Sequence, residues 1–225
     1  MREPKAKELT LILIGQFNPV IISPQWLAGK ELISDLDAKE ALEMESYISH
    51  PEISQFKLDF CAIQTIQNKF TISSTQEGYF DRIQEITSGI FTYLNETPVL
   101  QLGINTIYHY EFSTRDEMIE FGNILSPKTI WDSVVDTPIM KKLDIISKRP
   151  DEKMGEFNTS VELSPFFSNG IRIAVNDHNV FYTEEEYHKG RDINAKRAVA
   201  FLENWKSSLE IATSIIEGVM NYEAR

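Results

Sequence analysis

Apolar residues alternate weakly through Leu9–Phe17, a strongly aliphatic run that predicts a central strand, and Asn18-Pro19 breaks it. Ser23-Pro24 reads as a helix cap followed by proline at the first helical position. That helix carries Trp26 and Leu27 and stalls near Gly29. A second helix is expected from Asp37, with Glu40 as its capping-box partner and Ala41, Leu42 and Met44 along it, ending before Pro51. Phe56, Leu58, Phe60 and Ala62 then alternate with Lys57, Asp59 and Cys61, which is strand periodicity. Gln67-Asn68-Lys69 predicts a turn and Phe70–Ser73 a returning strand. Ser74 or Thr75, with Glu77 behind it, is expected to cap a helix bearing Tyr79, Phe80, Ile83, Ile86, Ile90 and Leu94 at helical spacing, closed by Asn95–Pro98.

The second half repeats the theme. Val99–Phe112 predicts a long strand, with Leu102, Ile104, Tyr108, Tyr110 and Phe112 on one side and Gly103, Asn105, Ile107, His109 and Glu111 on the other. Ser113, with Asp116 at the matching position, is expected to cap a helix carrying Met118, Ile119, Phe121 and Leu125. Ser126-Pro127 interrupts it, and a short helical extension is expected around Trp131 and Val134-Val135. Lys141–Ser147, Glu156–Leu163 and Gly170–Val175 read as strands. Asn176–Asn179 reads as a turn, and Val180–Tyr182 as one more short strand. One long helix is expected from Asp192 to Tyr222, striped by Phe201, Trp205, Leu209, Ala212, Ile216 and Val219.

The fold class expected is therefore α+β: two βα(α)ββα-like halves, residues 1–97 and 98–225, forming an antiparallel sheet covered on one face by helices. The halves could equally make one continuous domain. The element order resembles helix-grip and TATA-binding-protein-like layouts, and a likeness of that kind does not carry function. The chain also resembles uncharacterised bacterial proteins of similar length. The shared stretches are Phe17-Asn18-Pro19, the strand-to-helix junction Lys69–Glu77, and Leu102–Asn105 followed by His109. That resemblance implies no activity and no site residue.

Composition narrows the function. Apolar residues make up 42% and charged residues 25%, ordinary globular usage that predicts a folded chain. No stretch approaches the roughly 20 uncharged apolar residues a membrane helix needs. The run Leu9–Gly15 lacks a cleavage site for a signal peptide and reads as the first strand. A single cysteine, Cys61, forbids an internal disulfide and favours a reducing, cytoplasmic setting. The net charge is −12 with no basic stripe, so neither nucleic acid nor membrane is expected as a partner.

Chemical motifs are sparse. Phosphate-binding glycine loops, C-x-x-C and H-E-x-x-H are absent from the sequence, so no cofactor or metal is expected. The Glu185–His188 stretch holds a single Glu-x-x-His in a hydrophilic context and reads as a solvated loop or helix start. Asp59 with Gln67 and Lys69 loosely fits a metal-nuclease pattern, yet Gln67–Lys69 looks like the hairpin turn itself. Serines Ser23, Ser74 and Ser113 fall where helix caps are expected, which explains them without catalysis.

Two surfaces remain. Asn105, His109 and Glu111 project from one side of their strand, as a partner or ligand surface or simply as the wet face of an antiparallel strand. On either reading His109 lines a surface and no catalytic residue is assigned. A terminal helix of about 30 residues is about 45 Å long, longer than a small sheet is wide. Its end, near Ile215, Val219 and Met220, is expected to overhang and to contact another chain, most simply a second copy in a homodimer, unless the helix bends across its own sheet. The function expected is non-enzymatic binding of another protein or of itself, in the manner of an accessory, antitoxin-like or immunity-like component. A metal-dependent nuclease or other hydrolase and a helix-grip small-ligand binder are the alternatives.

Overall fold

The computed structural model describes residues 2–149, 151, 154–189 and 192–222. In chain order its elements are β1 (Ala6–Gly15), α1 (Pro24–Gly29), α2 (Asp35–Glu43), β2 (Ile48–His50), β3 (Ile53–Leu58), β4 (Cys61–Ile66), β5 (Lys69–Ser74), α3 (Phe80–Tyr93), β6 (Val99–Glu111), α4 (Arg115–Leu125), β7 (Lys142–Lys148), β8 (Gly155–Leu163), β9 (Gly170–Val180), α5 (Glu184–His188), α6 (Lys196–Leu202) and α7 (Trp205–Met220). The strands form one antiparallel sheet in the order β2-β3-β4-β5-β1-β6-β9-β8-β7, so the α+β class read from the pattern is the observed one. None of the described helices is long and apolar enough to cross a membrane.

Alternation sets the inside of the sheet. Leu9, Leu11 and Leu13 of β1 are fully buried, as are Phe70 and Ile72 of β5 and Leu102 of β6. They meet α1, α2, α3 and α6 in one apolar cluster, through residues such as Leu27, Ala41, Ile83, Ile90 and Leu202. A second cluster joins Tyr108 and Tyr110 of β6, Phe157 of β8 and Ile173 of β9 to Met118 and Phe121 of α4 and Ala212 and Ile216 of α7. All these helices pack on the same side. The opposite side carries mostly half-buried polar residues, among them Thr10, Gln64, Thr71, Asn105, Asn158 and Asn176.

Several caps shift by one turn or less. Ser23 does cap α1, accepting from the Trp26 N–H, with Pro24 first in the helix. The second helix starts at Asp35, and its capping box pairs Ser34 with Asp37, so Asp37 is the box partner and not the cap. For α4 the cap is Thr114, while Glu117 bonds the Ser113 N–H. Ser74 caps no helix: its hydroxyl donates to the Phe60 carbonyl at 2.7 Å, and a 3₁₀ turn at Glu77–Tyr79 leads into α3.

Three larger differences have physical causes. Phe56–Ala62 is not one strand, because a two-residue turn at Asp59-Phe60 pairs Leu58 with Cys61 and reverses the inside parity. Phe60 lies in the turn itself, where its ring stacks on Tyr79 at 4.9 Å. Asn176–Asn179 is not a turn. β9 runs through it, zipped to Leu102–Asn105 on one side and Gly155–Asn158 on the other. The buried Asp177 that this places on the inner face is held by Arg149, whose guanidinium also makes two bonds of 2.8 and 2.9 Å to Asp151. Lastly, the C-terminal helix is broken at Glu203-Asn204 into α6 and α7. α6 and the start of α7, through Trp205 and Leu209, serve the first cluster, and the rest of α7, through Ala212 and Ile216, serves the second.

Candidate functional site

The polar residues expected on one side of β6 do share that side, but they do not form a joint site. Asn105 is half-buried and its amide donates to the Thr10 carbonyl at 3.3 Å. Glu111 is exposed at the strand's end. Gly103 lets the Asn176 side chain close in, since a Cβ there would stand 2.9 Å from its Oδ1. His178 lies opposite Gly103, a strand's length from His109.

His109 corrects the surface expectation outright: its exposure is 0%. Its Nε2 lies 2.7 Å from Oε1 of Glu8 on β1, and its Nδ1 lies 2.9 Å from Oγ of Ser164, just beyond β8. The Phe166 ring, from the loop joining β8 to β9, covers the imidazole at 4.6 Å. Nε2 faces the Glu8 carboxylate and Nδ1 faces the Ser164 hydroxyl, so both ring nitrogens have a partner. This is the wiring of a serine, histidine and carboxylate relay. Chemistry needs more, namely a cavity beside the hydroxyl and donors aimed at a developing oxyanion. Ser164 lines none of the clefts described below, and its hydroxyl already accepts the Phe166 N–H at 3.2 Å. These contacts tie β1, β6 and the β8–β9 loop together.

The nuclease pattern does not assemble. Asp59 sits in the turn before β4 and Lys69 follows its far end, opposite Ile66. A six-residue strand separates them by roughly 20 Å. Among the described residues no group of three or more His, Cys, Asp or Glu is placed to hold a metal ion. The Glu185–His188 stretch lies in the short helix α5, opened by a Thr183–Glu186 capping box, and Glu185 pairs with Lys189. Cys61 is buried, and burial pushes its thiol up to about 12, the opposite of an activated nucleophile.

On the helical side a cleft of about 610 Å³ opens between the start of α3 and α7. Tyr108 and Tyr110 line it, and the Tyr108 hydroxyl lies 3.2 Å from that of Thr213. Lys7 reaches in, 5.0 Å above the Tyr108 ring and 2.6 Å from Glu77. Burial works against its ammonium, but the hydrogen bond to Glu77 and the fields of Tyr108, Glu77 and Glu217 outweigh it and raise the pKa. Burial pushes the Tyr110 hydroxyl up to about 12. The rim carries Glu77, Glu210 and Glu217, so this is an open, partly acidic cleft and not the closed apolar cavity of a helix-grip binder.

The expected overhang at Ile215, Val219 and Met220 is absent, because the break shortens α7 to 16 residues, about 24 Å. All three side chains are half-buried against the second cluster. Exposed apolar surface gathers elsewhere, at the far end of the sheet. Between α4 and β7, Ile130 is 75% exposed, Trp131 51% and Val134 69%, and in β7 Ile145 and Ile146 are 52% and 67% exposed. Trp131, Val135 and Ile139 line a second cleft of about 400 Å³ beside Lys142. The sequence did mark Trp131 and Val134-Val135 as apolar. In place of the expected short helical extension the segment forms a 3₁₀ turn at Lys128–Ile130, and no periodicity in it states that its apolar residues stand exposed.

Neither a model of a known protein family nor a curated protein matches this sequence.

Proposed function

We propose that this protein works by binding another protein chain, its own kind included, through the end of the sheet formed by β7 and residues 128–140, and that it is not an enzyme. One observation carries the reading: large apolar side chains stand in water together there, led by Ile130, Trp131 and Val134. A monomer keeps such groups scattered or inside, and a cluster of them rimmed by polar residues marks an interaction surface. Trp131 is the natural anchor, since aromatic residues dominate the binding energy of interfaces. The polar relay at His109 and the separated Asp59 and Lys69 give no competing chemical reading.

Trp131→Ala combined with Val134→Glu tests this. Both side chains are largely exposed, so the fold should survive, as a circular-dichroism melt would verify. Wild-type and variant protein are compared as baits in extract of the source cells, and by sedimentation alone. Loss in the variant of a partner that the wild type retains, or of self-association, is the expected result. Identical behaviour of the two baits would overturn the reading.

A further inference from the structure

β7 is the last strand of the sheet, paired on one side to β8 only. Among the described residues the N–H and C=O groups of its other edge have no backbone partner, and it exposes Ile145 on one face of the sheet and Ile146 on the other. Edge strands are normally shielded or broken, because a bare one is a template for another strand. Among the described residues no helix or loop pairs with this edge.

The strand's own sequence, Lys142-Leu143-Asp144-Ile145-Ile146-Ser147-Lys148, limits what fits. A second copy related by a two-fold axis through the sheet keeps faces matched, so each such register centres on one residue. Centring on Asp144 sets two aspartates opposite each other. Centring on Ile145 sets Lys142 opposite the partner's Lys148 at both ends. Centring on Leu143 matches charges but pairs only three residues within the strand. Centring on Ile146 pairs residues 144–148, sets Asp144 opposite the partner's Lys148 twice, and stacks Ile146 on the partner's Ile146. It also places Ile145 beside the partner's Ser147. This register alone combines opposite charges with apolar contact over most of the strand.

We propose that β7 pairs antiparallel with β7 of a second copy in this register, joining two sheets into one across a two-fold axis at Ile146. The proposal rests on the reading that this end of the molecule is the binding surface, and it names the occupant of the β7 edge. The pairing is short, so the dimer is weak and forms in the micromolar range.

Sedimentation of the full chain from about 1 µM to about 100 µM should show a monomer–dimer equilibrium. Ile146→Lys, at an exposed position, should abolish it. Asp144→Lys alone and Lys148→Asp alone each set like charges opposite each other twice and should weaken self-association roughly ten-fold. Mixing these two single variants restores opposite charges at both positions and should restore the dimer. Ile146→Cys should crosslink to itself on oxidation, with Cys61 buried and inert. A monomer throughout the range overturns the dimer. So does a dimer that Ile146→Lys leaves intact, or single variants that do not recover on mixing. If the chain is monomeric yet the Trp131 and Val134 variant loses a partner the wild type keeps, the binding surface stands and only the occupant named here falls.

Discussion

At the scale of single residues, His109 is the most informative position. A histidine between Asn105 and Glu111 on an alternating strand reads as wet. It is shut off from water because Phe166 folds over it and because Glu8 and Ser164 supply partners for both ring nitrogens. His109→Ala should therefore behave as loss of a buried hydrogen-bonded group, leaving Glu8 half-buried without its partner. The expected cost is about 2 kcal/mol, against the few tenths typical of a surface substitution. A urea denaturation curve measures it, and a change within about 0.5 kcal/mol would mean these contacts contribute nothing. Parity along β6 was legible in the sequence, since it depends only on the strand period. The exposure of that side was not, because the covering ring comes from residue 166 and the carboxylate from residue 8. Asp177 teaches the same lesson. Four polar residues in a row look like a turn until Arg149 supplies the charge that lets one of them point inward.

At the scale of elements, the amphipathic segments declared themselves and their ends did not. The spacing of Phe80, Ile83, Ile86 and Ile90 matches the buried face of α3. The C-terminal stripe is equally real, yet it is divided between two helices at Glu203-Asn204, and α7 runs from the first cluster, at Trp205, to the second, at Ala212 and Ile216. A break of that kind costs little in local propensity, so only the position of the two clusters shows it. α7 then docks on β6 and β9 through Ala212 and Ile216, both buried. Ile216→Ala should cost about 3 kcal/mol, as expected for an isoleucine truncated in a packed core. Val219→Glu should also destabilise the monomer and should leave the oligomeric state untouched. Chemical denaturation together with sedimentation checks both outcomes.

For the whole molecule, β1 is the joint. It pairs with β5 on one side and β6 on the other, so the two parts of the chain share one sheet. Residues Ala198, Leu202 and Trp205, late in the sequence, return to the cluster built by the first part. Asp177 lies where the clusters meet, opposite Ile104 of the first and Phe157 of the second. The net charge of −12 belongs to this scale as well. Affinity for duplex DNA comes mostly from cations laid along phosphates, and this chain offers none in a row longer than two. A gel-shift titration at about 150 mM salt should show no binding tighter than about 1 µM.

The sequence by itself determined the class of fold, the inside parity of the central strands and the main helical faces, because these follow from local periods of two and 3.6 residues. It also carried the charge and the single buried thiol. Only the tertiary structure decided which polar residues are buried, where the last helix breaks and which apolar residues are left in water. Each of these depends on groups far apart in the chain. Ile145 and Ile146 are exposed where β7 falls at the end of the strand order, with no further strand beside it among the described residues. Neighbour relations in a sheet are long-range, and nothing in the seven residues of β7 states that they will have a neighbour on one side only.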